Sequence, residues 1–369
     1  MTRWMYALSL CMAGVTSASS LLASDYVDDP SVISEPPDER LVLTQLEVCP
    51  NELPADFYCP PGSPGAKCYP YSLGPEFSAS WLYLLPTFDN TYFALDSIAS
   101  TTFPNGTRVN NDFDFHSAFR VGAGYRFHDD KRLLQVNYTF VDADQSTTID
   151  GDFLWATVGR ADFASAFENY AGTASSSLEF TYHRIDASYS QPWQVYDDSV
   201  FFRYGVDYAN LRLKEDNTFT SAFTTGTIAQ ESHTVGVGPE FGIGIDHSLF
   251  RDMGRMPGSL SMNMLTTASL LISQSSAQVR NVLGTTPMLD VMDENTARII
   301  PALHARVGVN YEFCAWKRQT TFTLGYEFNS YIRALTRITF PDDVADGYSI
   351  TDYDNCDMQG LFCSATIAY

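Results

Sequence analysis

Apolar runs near 18 residues, basic residues and paired metal-ligand motifs are the three things this 369-residue sequence has least of. A helix needs about 20 consecutive apolar residues to cross hydrocarbon, so beyond the first residues a helical membrane protein is excluded. Lys and Arg number 22 against 44 Asp and Glu, a formal net charge of -22. That balance excludes a nucleic-acid partner, because phosphates are repelled rather than neutralised. Cys59 and Cys68 have no second pair at zinc-ligand spacing, and no calcium-loop spacing occurs. The pattern therefore implies no metal and no cofactor.

What is present begins with Met1, Thr2 and Arg3, an apolar run from Trp4 to Val15, then Thr16, Ser17 and Ala18. A basic start, a short apolar core and small residues make residues 1–18 a secretory signal peptide, with Ala23 as the later cleavage point. Residues 24–75 are rich in Pro and acid, including Cys59-Pro60-Pro61-Gly62-Ser63-Pro64-Gly65. Such a run holds neither a helix nor a central strand, so an irregular periplasmic tail is expected. Cys11 leaves with the signal, and Cys49, Cys59, Cys68, Cys314, Cys356 and Cys363 enter an oxidising compartment. Disulfides are expected there, and their pairing is left open. The topology below sets the first four on the periplasmic side, with Cys356 external and Cys363 near it.

Residues 76–369 change to a period of two. In 113–127, Phe113, Phe115, Phe119, Val121, Ala123, Tyr125 and Phe127 alternate with Asp114, His116, Arg120, Gly122, Gly124 and Arg126. Residues 303–313 repeat this, with Leu303, Ala305, Val307, Val309, Tyr311 and Phe313 on one face. One apolar and one polar side is the mark of a strand between two environments. Eight further segments follow: 77–85, 132–142, 178–189, 200–213, 234–246, 259–273, 320–333 and 360–369. Segment 259–273 is ambiguous, since Leu265 and Leu271 oppose Met262, Met264, Leu270 and Ile272.

The connections alternate in length. Segments 86–112, 143–177, 214–233, 274–302 and 334–359 are each about 20 residues or more, and those between them about 12 or fewer, the asymmetry of an outer-membrane barrel. Acidic residues concentrate in the long set. The expected fold is all-β: a transmembrane antiparallel up-and-down barrel of about 10 strands, with short periplasmic turns, long external loops and both ends periplasmic. Hairpins inside the long loops would raise the strand count to twelve. A soluble sandwich is the competing reading, and it gives no reason to sort loops by parity. Aromatic content of 14% with charged content of 18% suits a lipid-facing wall.

These residues resemble the Legionella-type major outer-membrane protein family of pore-forming barrels. The similarity is carried by Phe115-His116-Ser117-Ala118-Phe119-Arg120-Val121-Gly122-Ala123-Gly124-Tyr125, by Leu134-Gln135-Val136-Asn137-Tyr138-Thr139-Phe140 and by Phe202-Arg203-Tyr204-Gly205-Val206. It continues through Gly236-Val237-Gly238-Pro239, Leu324-Gly325-Tyr326-Glu327-Phe328 and Gln359-Gly360-Leu361-Phe362. The chain departs from the family in ending on Tyr369 rather than Phe and in its Cys- and Pro-rich tail. The resemblance implies an outer-membrane, pore-forming role and carries over no catalytic residue.

If the apolar rows face lipid, the polar rows face the lumen. The candidate lining residues are Asp114, His116, Arg120, Arg126, Glu179, Arg203, Asp207, Glu240, Arg306, Glu312 and Glu327. Asp342, Asp343, Asp346, Asp352, Asp354 and Asp357 would make an external acidic mouth that concentrates cations. Carboxylates also suit a divalent ion there, though a solvated acidic loop is the simpler account. Ten strands enclose little more than a side-chain-filled lumen, so the expected function is a narrow, cation-favouring channel for ions or small solutes. The alternatives are a non-conducting structural or surface-interaction barrel and an outer-membrane lipid enzyme, for which His183, His233 and His304 are candidates by type alone. Expected partners are outer-membrane lipid, small solutes or ions, and the barrel assembly machinery, met through the alternating final strand Leu361, Cys363, Ala365, Ile367 and Tyr369. Oligomeric state is not legible.

Overall fold

The computed structural model describes residues 74–98, 105–127, 132–158, 166–195, 198–253, 256–315, 318–340 and 349–369. The expected signal peptide and the expected tail as far as residue 73, with Cys11, Cys49, Cys59 and Cys68, lie outside the described residues, as do Asp342, Asp343 and Asp346, whereas Gly74 and Pro75, expected in the tail, begin the first strand. The strands are β1 (Gly74–Phe88), β2 (Tyr92–Ser97), β3 (Gly106–Asn110), β4 (His116–Arg126), β5 (Leu133–Ala156) and β6 (Tyr170–Val195). They continue as β7 (Asp198–Ser221), β8 (Thr225–Met253), β9 (Met256–Leu283), β10 (Thr286–Ala315), β11 (Arg318–Thr339) and β12 (Ile350–Ala368).

Ten of the twelve form a closed antiparallel ring. Neighbours pair in sequence from β4 through β12, and β1 closes the ring between β4 and β12. The remaining two, β2 and β3, form a hairpin in the first long connection. That hairpin adds to the outer end of β5 through Ala94–Asp96 against Leu154–Ala156. Among the described residues the count is therefore ten strands in the wall and twelve in all.

The strands are much longer than the alternation suggests. A tilted strand crosses hydrocarbon in about 9–11 residues, whereas β5 to β10 run 24 to 30 residues. Their excess lies in the long connections, which fold mostly as extended hairpin arms. Connection 274–302 is strand on both sides of a turn at Gly284, whose positive φ of 60° glycine adopts without strain. The period fades in these arms because both faces meet partly polar surroundings.

The outer wall changes character along each strand. Trp81, Val121, Val136, Ile185, Val206, Ile243 and Leu324 project from an exposed apolar belt, where a charge at mid-bilayer would cost about 2–4 kcal/mol. Towards the turn end the belt finishes in aromatic contacts, Phe77 with Tyr369 at 6.1 Å and Phe313 with Phe322 at 5.6 Å. Towards the hairpin end it finishes in outward hydrogen bonds. Tyr138 Oη lies 2.9 Å from His183 Nδ1, and His233 Nε2 lies 2.9 Å from Asn210 Oδ1. One step further the outer face carries Arg212–Glu231 at 2.7 Å and Lys214–Glu179 at 3.7 Å. Charge at these positions places them outside hydrocarbon.

A β-bulge interrupts β11 between Tyr331 and Leu335, with Arg333 at a φ of 57°. Past it, Ala334, Leu335 and Thr336 are all buried. Side chains across the lumen bind this stretch: Thr234 Oγ1 donates to the Ala334 carbonyl at 2.7 Å, and the Thr336 amide donates to Ser232 Oγ at 2.8 Å. The Arg333 amide donates to Asn355 Oδ1 at 2.8 Å. Proline fixes φ near −65° and lacks that donor, so Arg333→Pro is expected to destabilise the barrel by more than about 1 kcal/mol. Urea unfolding of the refolded protein checks this, and an unchanged midpoint would count against the inward course of β11.

Candidate functional site

Inside the ring the inward side chains follow one order on strand after strand: polar near the turn end, then apolar. On β6, Arg184, Asp186 and Ser188 give way to Tyr182, Phe180 and Leu178, all buried. On β7, Arg203 and Asp207 precede Ala209 and Leu211, and on β11 Glu327 and Asn329 precede Tyr331. Strands β9 and β10 repeat the order with Thr267 and Ser269 before Leu271, and with His304 before Ala302 and Ile300.

The polar tier is one hydrogen-bonded network. Arg120 binds both oxygens of Glu327 at 2.9 Å and donates through Nε to Thr139 at 2.9 Å. Arg184 reaches Asp207 and Glu240, each at 2.8 Å. Arg203 pairs with Asp186 and, at 3.0 Å, with Glu240. Asn137 donates to Asp186 at 2.9 Å, and Ser269 to Asp207 at 2.9 Å. His304 bridges Asn329 at 3.0 Å and Asp207 at 3.3 Å. Eight strands, β4 to β11, are thereby tied through the lumen. A two-point carboxylate–guanidinium fork is the strongest of these contacts.

The apolar tier fills the same cross-section. Leu82, Leu84, Val141, Phe180, Leu211, Leu271, Ile300, Met358 and Phe362 pack in one buried cluster. Within it the Tyr182 and Tyr331 hydroxyls meet at 2.7 Å. Their strands, β6 and β11, stand five places apart in a ring of ten, so this bond spans the full diameter. Beyond it lies a second polar tier, with Arg337 paired to Glu215, and then a second apolar cluster including Phe93, Leu154, Phe167, Phe219 and Ile338. Among the described residues, buried side chains thus occupy the lumen at successive levels.

Of the expected lining residues, Arg120, Arg203, Asp207, Glu240 and Glu327 meet in the polar tier. Arg306 lines the same small cavity. Arg126 pairs with Glu76 at 2.8 Å near the turn end, and Glu312 there lies 3.4 Å from Ser259 and Gln319. His116 is half-buried against Phe113. Two expectations are overturned. Asp114 is exposed and precedes β4, because the chain turns inward at Phe113, which packs against Phe88 and Phe180. Glu179 is exposed on the outer wall beside Lys214, because on β6 the inward parity belongs to Leu178 and Phe180.

Sequence reasoning missed Arg184, Asp186, Asn137 and Asn329. The sequence carried a signal for them: outward Ile185 and Tyr189 fix the even-numbered residues of β6 as inward. The ambiguity at 259–273 resolves the same way, with Leu265 and Leu271 inward. Of the acidic mouth, Asp352 is exposed and accepts from Thr339 at 3.1 Å. Asp354 instead is buried, accepting from Asn90 at 2.7 Å, and burial pushes its carboxyl above the usual carboxylate range despite nearby Arg337. Asp357 is half-buried. Among the described residues no three His, Cys, Asp or Glu side chains gather as a metal site. Cys356 and Cys363 are both free, one buried inside and one on the lipid face. An odd separation on one strand sends them to opposite faces, so these two do not pair with each other.

No curated protein matches the chain. Among solved structures it is similar to the outer membrane protease OmpT of Escherichia coli, with 7% identity, 82% of this chain and 99% of that one covered, and a TM-score of 0.40. It is also similar to the Pseudomonas putida toluene transporter TodX, with 9% identity, coverage of 80% and 90%, and a TM-score of 0.34. A Pseudomonas aeruginosa FadL homologue gives 9% identity, the same coverage and a TM-score of 0.25. The family described as the Legionella pneumophila major outer membrane protein precursor matches residues 73–368, most of the chain. With a closed, lipid-belted ring of strands and that match, this protein belongs to the Legionella major outer-membrane protein family and is a β-barrel of the outer membrane.

Proposed function

We propose that the protein is a narrow, gated pore, shut in this state by its own side chains, and not an enzyme. The observation that carries this reading is the network of Arg120, Arg184, Arg203 and their carboxylates across the lumen. An inward face built only to fill space gains little from buried ion pairs, because desolvating both charges costs about what their attraction returns. Charges arranged along a lumen instead suit a path that water and ions enter when the tier above it parts. His183 and His233 stand on the outer wall and His304 inside, so these three do not assemble a hydrolytic centre.

The second reading is a non-conducting barrel whose role is mechanical or at the cell surface. The apolar tier and the Tyr182–Tyr331 bond across the diameter favour it. Planar-bilayer recording of the refolded barrel separates the two. Brief openings of small conductance support the pore; a silent wild type, with silent variants of the apolar tier, establishes the second reading.

When the pore opens, cations should pass in preference to anions, because the chain is strongly acidic and its hairpin end carries exposed Asp352. Under a salt gradient the reversal potential is expected on the cation side. Anion preference would overturn the selectivity and leave the pore standing.

A further inference from the structure

We propose that the outer part of the β11–β12 hairpin is the gate of the lumen, a two-stranded lid hinged at the bulge beside Arg333. This inference rests on the pore reading and names its moving part.

The ribbon leaves the wall at one row on both of its sides. Pairing of β10 with β11 stops at Ala302–Tyr331, although β10 continues with β9 to Thr286–Leu283. On the other side, pairing of β1 with β12 stops at Phe88–Cys356. Tyr331 and Cys356 are themselves partners, and beyond them β11 and β12 pair only with each other, from Leu335–Asp354 to Thr339–Ile350. The bulge sits at this row, where register slips between Tyr331 and Leu335 and Arg333 takes a φ of 57°. A bulge bends its strand, and here the bend turns the ribbon into the lumen.

Once inside, five residues of the ribbon contribute to three successive levels. Ala334 and Leu335 belong to the first apolar cluster, Arg337 pairs with Glu215 in the second polar tier, and Ile338 belongs to the second apolar cluster. Withdrawing the ribbon vacates all three together. Tyr331 packs in the same cluster as Ala334 and Leu335, so its ring is freed to turn when they leave.

Hydrogen bonds that water can replace hold the ribbon down. Besides the Thr234 and Ser232 contacts, Arg298 donates to the Arg333 carbonyl at 3.1 Å, the Ala334 carbonyl at 3.3 Å and Thr336 Oγ1 at 2.9 Å. Asn90 donates to Asp354 at 2.7 Å. A two-stranded ribbon without further ladder partners is marginally stable by itself, and moving elements are drawn from such low-stability parts of a fold.

Pulsed EPR on the refolded barrel in lipid vesicles tests the hinge. Spin labels are attached at Asp352→Cys and Thr227→Cys, both exposed positions, with the native cysteines replaced by serine. A main distance for the inward ribbon and a longer minor one are expected. Arg298→Gln should raise the longer population about tenfold, the effect of losing one charge-assisted hydrogen bond, and Thr234→Val should raise it less. A single distance that neither variant changes overturns the lid; should one variant fail to fold, the other decides. Planar-bilayer recording then uses Ser232→Cys with Thr336→Cys, once thiol titration shows the bridge closed. Current is expected to vanish on oxidation and return on reduction. Current that persists through the bridge overturns the gate and leaves the pore standing, whereas a ribbon that swings without current in either state overturns the pore reading, and the gate with it, while leaving the hinge.

Discussion

Replacing Arg184 with alanine is expected to destabilise the folded barrel by about 3–5 kcal/mol, the cost of stranding buried carboxylates without their counter-charge. Arg184 holds two of them, Asp207 and Glu240, at 2.8 Å each, and all three side chains are at most 7% exposed. Arg203 still touches Glu240 after the change, whereas Asp207 keeps only Ser269 and His304. The control is Arg212→Ala on the outer wall. That guanidinium is 47% exposed beside Glu231, and a solvated pair of this kind contributes less than about 1 kcal/mol. Urea unfolding in lipid vesicles, followed by tryptophan emission, compares the two. Equal midpoint shifts would mean that the polar tier is already hydrated and that its ion pairs are not buried in the energetic sense.

Tyr331→Ala is expected to turn a closed lumen into a conducting one while lowering stability by about 3–5 kcal/mol, the usual penalty for emptying a large aromatic site. The ring it removes is fully buried and meets Tyr182 across the diameter. Tyr331→Phe keeps the ring and strands the Tyr182 hydroxyl, which costs about 1–3 kcal/mol and leaves the obstruction in place. Single-channel recording should therefore show steady current in Tyr331→Ala and none beyond wild type in Tyr331→Phe. A silent Tyr331→Ala barrel that retains its folded, heat-modifiable mobility would show that packing of the neighbouring side chains seals the lumen without this tyrosine.

The wall of this protein was legible because lipid imposes a uniform demand on it. Each expected segment falls largely within one strand of the ring, and Val121, Val136 and Ile243 face outward as their alternation required. The interior imposes no such demand. It is polar at Asp186 and apolar at Phe180 on the same inward row of β6, so a rule equating polar with lumen fails where the contents change. Glu179 was misassigned for that reason: outside the hydrocarbon the outer face turns charged and the inner face apolar, inverting the pattern while the strand runs on. Asp114 was misassigned because alternation at Phe113 and Phe115 continues past the point where the strand begins. Arg184 and Asp186 were recoverable by carrying the parity of Ile185 and Tyr189 along the strand.

Closure of the ring has a consequence for how the chain is made. The first and last wall strands, β1 and β12, are joined from Glu76–Ala368 to Phe88–Cys356, so the seam unites the two ends of the folded region. Until the last nineteen-residue strand is delivered, every intermediate carries two bare backbone edges, each a template for pairing with another chain. A nascent barrel of this design has to be shielded at both margins until its final segment arrives, and a copy shortened at the carboxyl end would be fated to stick to its neighbours.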